Sequence, residues 1–282
     1  MGEGMAERVL AAGHTLTVYN RSPGKADALR AKGATVAASP AAAAQGAEVV
    51  LTMLADDAAV EQVVFGTDGL IGALASGAVH VSSSTISVAL AERLEAAPGR
   101  YVSAPVFGRP EAAAAGKLFI IAGGPDDALA VAQPVFDAIG QRTFRVGPQA
   151  PVANLIKLSG NFLIAAAIEA MSEAFALVRK AGVDPMMYRE ILTSTLFNAP
   201  VYHLYSDLVA READEQVGFA APLGLKDVRL GLAAADTLQV PMPVASAIRD
   251  AFITAMARGY ENRDWSVLGR IAAENAGLNG TV

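Results

Sequence analysis

Cysteine is absent from the 282 residues, so the chain has no disulfide framework and no thiolate nucleophile or ligand. Its absence fits a reducing compartment. Charge is scarce as well. Asp, Glu, Lys and Arg make up 18% against 53% hydrophobic residues, a balance that excludes a disordered chain. Positive charge is the scarcer sign: 22 Lys and Arg against 28 Asp and Glu give −6. With no basic cluster, non-specific nucleic-acid binding is excluded. Long apolar runs suited to a bilayer are also wanting. The longest uncharged stretch, 69–91, carries Ser82, Ser83, Ser84 and Thr85, and the apolar run 158–168 is short and ends at Glu169. No basic start leads into an apolar run. The expectation is a soluble, cytoplasmic protein without membrane or nucleic-acid partners. Histidines are few. His14, His80 and His203 are scattered without metal-ligand spacing, so each is read as structural and no metal is expected.

What the chain does contain is alternation. Strand-like runs at 16–19, 49–54, 79–82, 101–104, 119–122 and 143–146 alternate with helical runs at 3–12, 24–31, 57–64, 88–96 and 125–139. Strict alternation implies parallel pairing through right-handed crossovers. The near-continuous apolar run Val49–Leu54 reads as a strand buried on both faces. After Gly147 the pattern becomes wholly helical: one long helix at 152–181, then 185–193, 200–211, 222–238, 243–258 and 265–276. Gly182 is a C-terminal stop, and Asp184 and Asp264 stand at N-cap positions. The reading is an α/β Rossmann-type domain at 1–147 followed by an all-α domain at 148–282.

Several motifs carry chemistry. After the strand at 16–19 comes Asn20-Arg21-Ser22. In a dinucleotide fold the end of the second strand meets the adenosine ribose, and an acidic residue there binds the 2′-hydroxyl. A guanidinium with neutral donors suits a 2′-phosphate instead. Read alone, the triplet is an ordinary polar turn, with Pro23 opening the next helix. The loop Leu54-Ala55 follows the second buried strand, and Ser84-Thr85 follows the third. By themselves these are a strand-to-helix turn and a helix cap. Ala104-Pro105-Val106-Phe107-Gly108-Arg109 follows the fourth strand; Arg109 is either an anion binder or solvent-facing. At the start of the long helix stands Asn154-Leu155-Ile156-Lys157-Leu158-Ser159-Gly160-Asn161, in which Lys157 and Asn161 share a face at i, i+4. A lysine held near a cofactor in a cleft donates a proton to a developing alkoxide or accepts one in oxidation. Phe219 and Lys226-Asp227 complete the set.

In this order the motifs resemble the β-hydroxyacid dehydrogenase family, which includes 3-hydroxyisobutyrate dehydrogenases, glyoxylate/succinic semialdehyde reductases and relatives of 6-phosphogluconate dehydrogenase. The resemblance runs from Met1 to about Asn275. It implies an NADP-dependent oxidoreductase, with NAD the other candidate cofactor, acting on a small hydroxyacid or aldehyde acid in a cleft between two domains. It implies Lys157 as the proton donor or acceptor and Asn161 as the residue that orients it. Cofactor contacts fall on Gly2, Asn20, Arg21, Ser22, Leu54, Ala55, Ser84, Thr85 and Lys226. Substrate contacts fall on Phe107, Gly108, Arg109, Phe219 and Asp227. The family usually reads Ser-Gly-Gly where this chain has Phe107-Gly108-Arg109, so the usual carboxylate anchor is altered. A homodimer or homotetramer is implied by analogy. Two rivals share the architecture: an imine reductase, which usually carries another residue at the Lys157 position, and a non-catalytic NADP-binding module, which lacks the lysine.

One departure concerns the start. The family's first strand and the opening glycines of its Gly-x-Gly-x-Met-Gly loop have no counterpart; Met1-Gly2 match the last two positions. A mis-assigned start or a truncation of roughly ten residues accounts for this by comparison with the family pattern. The expectation is a gap in the sheet beside 16–19, since the first strand is central in the usual order.

Overall fold

The computed structural model describes residues 1–22 and 24–278; the expected helix start at Pro23 lies outside them. The chain divides into two units, Met1–Lys157 and Leu158–Val282, with the division inside the long helix.

The first unit opens on α1 (Gly2–Ala11), which buries Met5 and Val9 at i, i+4. It continues with β1 (Thr17–Val18), α2 (Asp27–Ala31), β2 (Thr35–Val36), α3 (Pro40–Ala44), β3 (Val49–Thr52), α4 (Asp57–Phe65), β4 (Val79–Ser82), α5 (Val88–Glu95) and β5 (Arg100–Ser103). Then come β6 (Val106–Phe107), α6 (Pro110–Ala114), β7 (Leu118–Ala122), α7 (Asp126–Ile139) and β8 (Gly140–Arg145). Ser39, Asp56 and Ser87 cap α3, α4 and α5 by accepting backbone N–H bonds. All four residues of β4 are buried, as a strand flanked by parallel neighbours on both sides requires. Gly4 brings α1 hard against α6: a Cβ there would lie 2.9 Å from the Ala114 backbone nitrogen.

Three ladders form among the described residues: β1–β2, β3–β4–β5 and β6–β7–β8. The first two are parallel throughout. No ladder joins β1 to β3, so the break falls beside 16–19, where a gap was expected. The expectation of uniformly parallel pairing fails at β6, which runs antiparallel to β7. After β5 the chain folds back on itself. Ser103 forms an antiparallel bridge with Gly123, and the Pro105 carbonyl accepts from the Ile121 N–H at 2.9 Å.

Helix α8 (Pro151–Lys180) spans the division and leads into the second unit, which holds α9 (Pro185–Thr193), α10 (Pro200–Ala210), α11 (Ala221–Leu238), α12 (Pro243–Ala257) and α13 (Leu268–Asn275). The expected helix at 265–276 begins as a 3-10 turn, Trp265–Val267, before α13. Asp184 and Asp264 cap as expected, accepting from Met186 and Ser266 backbone N–H groups. The core of this unit gathers Ile168, Phe175, Phe252, Trp265 and Leu268. Among the described residues, α8 is the one helix long and apolar enough to cross a membrane by length and composition. It also buries the polar side chains of Asn154, Lys157, Asn161 and Ser172.

Candidate active site

In the first unit, the ends of the parallel strands collect the loops that the sequence singles out. At the end of β1, the Asn20 side chain accepts the Ser22 N–H at 2.9 Å, an Asx-type turn that holds the triplet in place. Asn20, Arg21 and Ser22 are all exposed. At the end of β3, the Leu54 N–H donates to Ser84 Oγ at 2.8 Å, so two separately predicted loops are locked together. One residue beyond β4, the Ser83 N–H donates to the Thr52 carbonyl at 2.8 Å. Gly2, the first residue of α1, is exposed, and a Cβ there would touch Met53, the neighbour of Leu54. A helix N-terminus thus meets the C-terminal end of β3, which is itself bonded to the end of β4. That is where a doubly wound sheet holds a dinucleotide, with the pyrophosphate on backbone N–H groups. Ser83 Oγ is buried with no hydrogen-bond partner among the described residues, and Thr85 near it is half-buried. The donor set and the exposed loop at Arg21 fit a nicotinamide dinucleotide.

Lys157 lies in the first two turns of α8 and is 7% exposed. Its ammonium sits over the Phe107 ring, 4.3 Å from the centroid. An ammonium over an aromatic face is held by the ring quadrupole. Three residues earlier, Asn154 is buried and its Oδ1 accepts the Ser103 hydroxyl, joining α8 to the end of β5. That pair was not singled out as a site. Asn154 stands in the motif quoted above and Ser103 immediately precedes Ala104-Pro105-Val106, but nothing in sequence shows that a strand-end serine meets a helix asparagine 51 positions on. Tyr101 on β5 is pushed up to about 12 by burial.

In the second unit, Asn161 Nδ2 donates to Asp227 Oδ2 at 2.6 Å, and Lys226 Nζ lies 2.9 Å from Asp227 Oδ1. Asp227 is therefore the hub of three predicted residues. It is buried, and its charge is stabilised by the adjacent ammonium and the donated amide hydrogen. Phe219 is half-buried against Trp265, with ring centroids 4.7 Å apart and an edge-on tilt of 71°. Its N–H donates to Asp264 at 2.9 Å. Arg109 caps the start of α6 without a side-chain capping bond and is half-buried.

Glu169 lies two turns beyond Asn161 and departs from its ordinary behaviour. Burial, then the neighbouring Glu173 charge, raises its carboxyl to about 7. Both carboxylates line a groove of about 600 Å³ with Leu177, Lys180 and Asp250. No predicted site residue lines this groove. The only sequence signal was two acids at i, i+4 on an otherwise apolar helix.

Comparison with known proteins covers the same ground. Residues 1–147 match the NAD binding domain of 6-phosphogluconate dehydrogenase, and residues 152–271 match the NAD-binding model of NADP-dependent 3-hydroxyisobutyrate dehydrogenase. The chain is 42% identical over 272 residues to an uncharacterized oxidoreductase, YfjR, of Bacillus subtilis, covering 95% of each. It is 32% identical to an NAD-dependent L-serine dehydrogenase of Pseudomonas aeruginosa, over 96% of this chain and 94% of the other. A crystal structure of 3-hydroxyisobutyrate dehydrogenase from Salmonella typhimurium superposes with a TM-score of 0.87 at 28% identity, covering 96% and 95%. Matches that run through both units, on a chain whose strand ends, α8 lysine and Asp227 hub fall in the expected order, make it a member of the β-hydroxyacid dehydrogenase family and an NAD(P)-dependent oxidoreductase.

Proposed function

We propose that the chain transfers hydride between NADP and the CH–OH or C=O carbon of a small hydroxyacid or aldehyde acid, with Lys157 as the proton donor or acceptor. The observation that carries this reading is the burial of Lys157 one helical turn before Asn161, whose amide is committed to Asp227. Burying a lysine amine costs desolvation, so its place against the Phe107 ring at the head of α8 is read as functional. In a reduction, Lys157 Nζ delivers a proton to the substrate oxygen as negative charge builds there; in an oxidation it removes the hydroxyl proton. Asn161, oriented through Asp227, positions the polar end of the site. Leu54, Ala55, Ser84, Thr85 and the Gly2 end of α1 would hold the dinucleotide, and Lys226 is proposed as a further dinucleotide contact. Hydride acceptance and donation are what a nicotinamide supplies when bound.

Preference for NADP rests on the exposed Arg21 in a turn held by Asn20, with no carboxylate in the triplet. A guanidinium pairs with a 2′-phosphate more strongly than with a hydroxyl. Titration of the protein with NADPH and NADH should show tighter NADPH binding, and Arg21→Ala should remove most of the difference. Tighter NADH binding by the unaltered chain overturns the preference. For the chemistry, a panel of small aldehydes and hydroxyacids with either dinucleotide identifies a substrate. Lys157→Ala should then retain dinucleotide binding and lose turnover. Full turnover in that variant overturns the assignment. The working form is proposed to be a homodimer or homotetramer.

A further inference from the structure

Phe107 occupies a position with chemical consequences. It ends the two-residue strand β6, where Val106 is buried and Phe107 points to the other face. Its ring covers one side of the Lys157 ammonium at 4.3 Å. The turn that follows fixes the backbone that carries the ring. Gly108 has φ +143°, and a Cβ there would lie 2.6 Å from Leu118 Cδ2 and 3.2 Å from Ala112 Cβ. The backbone just after Phe107 is thus wedged between β7 and α6. The ring is half-buried, so it presents surface as well as covering the lysine.

We infer that Phe107 determines which substrates this site accepts: its ring forms an apolar wall beside the reacting carbon and selects substrates carrying an alkyl or aryl group there rather than a carboxylate. This rests on Lys157 being the proton-transfer group. A carboxylate set against the side of the ring turned away from the Lys157 ammonium would lose hydration over an apolar surface and face the negative side of the ring quadrupole. An alkyl or aryl group gains burial in the same place. An acid function elsewhere in the substrate is directed away from Phe107.

The test uses the full chain with the dinucleotide it binds and three aldehydes: pentanal, benzaldehyde and glyoxylate, the last with its carboxylate directly on the reacting carbon. The unaltered chain should favour pentanal or benzaldehyde over glyoxylate in kcat/KM. Phe107→Ser should shift that ratio toward glyoxylate by at least tenfold, the scale on which one lost apolar contact discriminates. Phe107→Leu should keep the apolar preference, which a purely structural role would not require. The second readout needs no turnover: binding of isobutyramide and oxamate to the dinucleotide complex, followed by ligand-observed NMR. Isobutyramide should bind tighter to the unaltered chain and oxamate tighter to Phe107→Ser. Turnover with an unshifted ratio in Phe107→Ser overturns the inference, as does oxamate binding tighter than isobutyramide to the unaltered chain. Selective isobutyramide binding without any turnover upholds the wall while refuting the proposed chemistry. Absence of both refutes both. If Phe107→Ser does not fold, Phe107→Tyr provides the shift, since a hydroxyl at the ring edge should restore part of the glyoxylate activity; no gain overturns the inference.

Discussion

At the scale of single residues, two buried basic groups behave differently. Lys157 is buried against the Phe107 ring and is the proposed proton-transfer group; removing a general acid or base commonly costs a factor of about 10² to 10⁴. Lys157→Ala should lose turnover on that scale, measured as kcat at saturating substrate. His80 has no such surroundings. It is buried on β4, its Nε2 lies 3.1 Å from Thr52 Oγ1, and its ring stands 5.3 Å from that of Tyr101. Burial lowers it to about 4, so it is neutral in the fold at neutral pH. Between about 6.5 and 4 the unfolded chain binds the proton and the folded one does not. Stability is therefore fully present above 6.5 and falls as pH drops through that window, by about 3 kcal/mol for this one group. Urea unfolding at pH 7.5 and pH 4 should show that difference as the gap between the unaltered chain and His80→Asn. His80→Asn should be less stable at pH 7.5 and lose less on acidification. Equal losses in both proteins would show that His80 protonates in the fold.

At the scale of elements, legibility in the sequence followed length and periodicity. The strands β3 and β4 and the helices α8, α9 and α10 were readable, because each repeats its pattern several times or carries a cap such as Asp184. The expectation that the run at 49–54 is buried on both faces fails: Val49, Val50 and Leu51 are half-buried, because β3 is paired on one side only among the described residues. The two-residue strands β2 and β6 and the five-residue helices α3 and α6 were not. A segment of one period or little more shows no repeat; β1 and α2 are equally short, and were read only as parts of the longer runs 16–19 and 24–31. The cost was largest at β6. Alternation argued for parallel pairing, while Phe107 and its approach to Lys157 depend on an antiparallel return that local sequence does not announce. The site shows the same split. The i, i+4 spacing of Lys157 and Asn161 was visible on one helix. The Asn161–Asp227 and Ser103–Asn154 bonds join positions 66 and 51 apart, and only the folded chain brings them together. Phe219 and Gly224 show a related limit. Both serve Trp265, and a Cβ at Gly224 would press within 3.2 Å of that side chain.

At the scale of the whole molecule, α8 presents an unresolved surface. Most of α8 is buried or half-buried, but one apolar stripe of it is not. Leu163 and Leu177 are 63% and 73% exposed, and Ala170 midway between them is exposed too. These three recur every seven residues, with Ala167 and Ala174 on the intervening turns, giving an apolar seam of coiled-coil spacing with small residues that permit close approach. The seam is its own complement. A two-fold axis through Ala170 sets Leu163 of one copy against Leu177 of the next, the self-matching that a homodimer needs. The mass in solution by light scattering should be about 58 kDa or about 116 kDa, two or four times the chain's 28.9 kDa. Leu163→Glu with Leu177→Glu places four carboxylates in one seam and should halve the mass, to a single chain from a dimer or to a dimer from a tetramer. A single-chain mass for the unaltered protein, or no change in the variant, removes α8 as the interface. The symmetry is testable separately. The chain has no cysteine, so Ala170→Cys introduces the only thiol. If Ala170 lies on the axis, mild oxidation should join two copies through that thiol at micromolar protein, because facing helices of small residues bring the Cα atoms into disulfide range. Failure of that link while the dimer persists places the axis elsewhere along the seam.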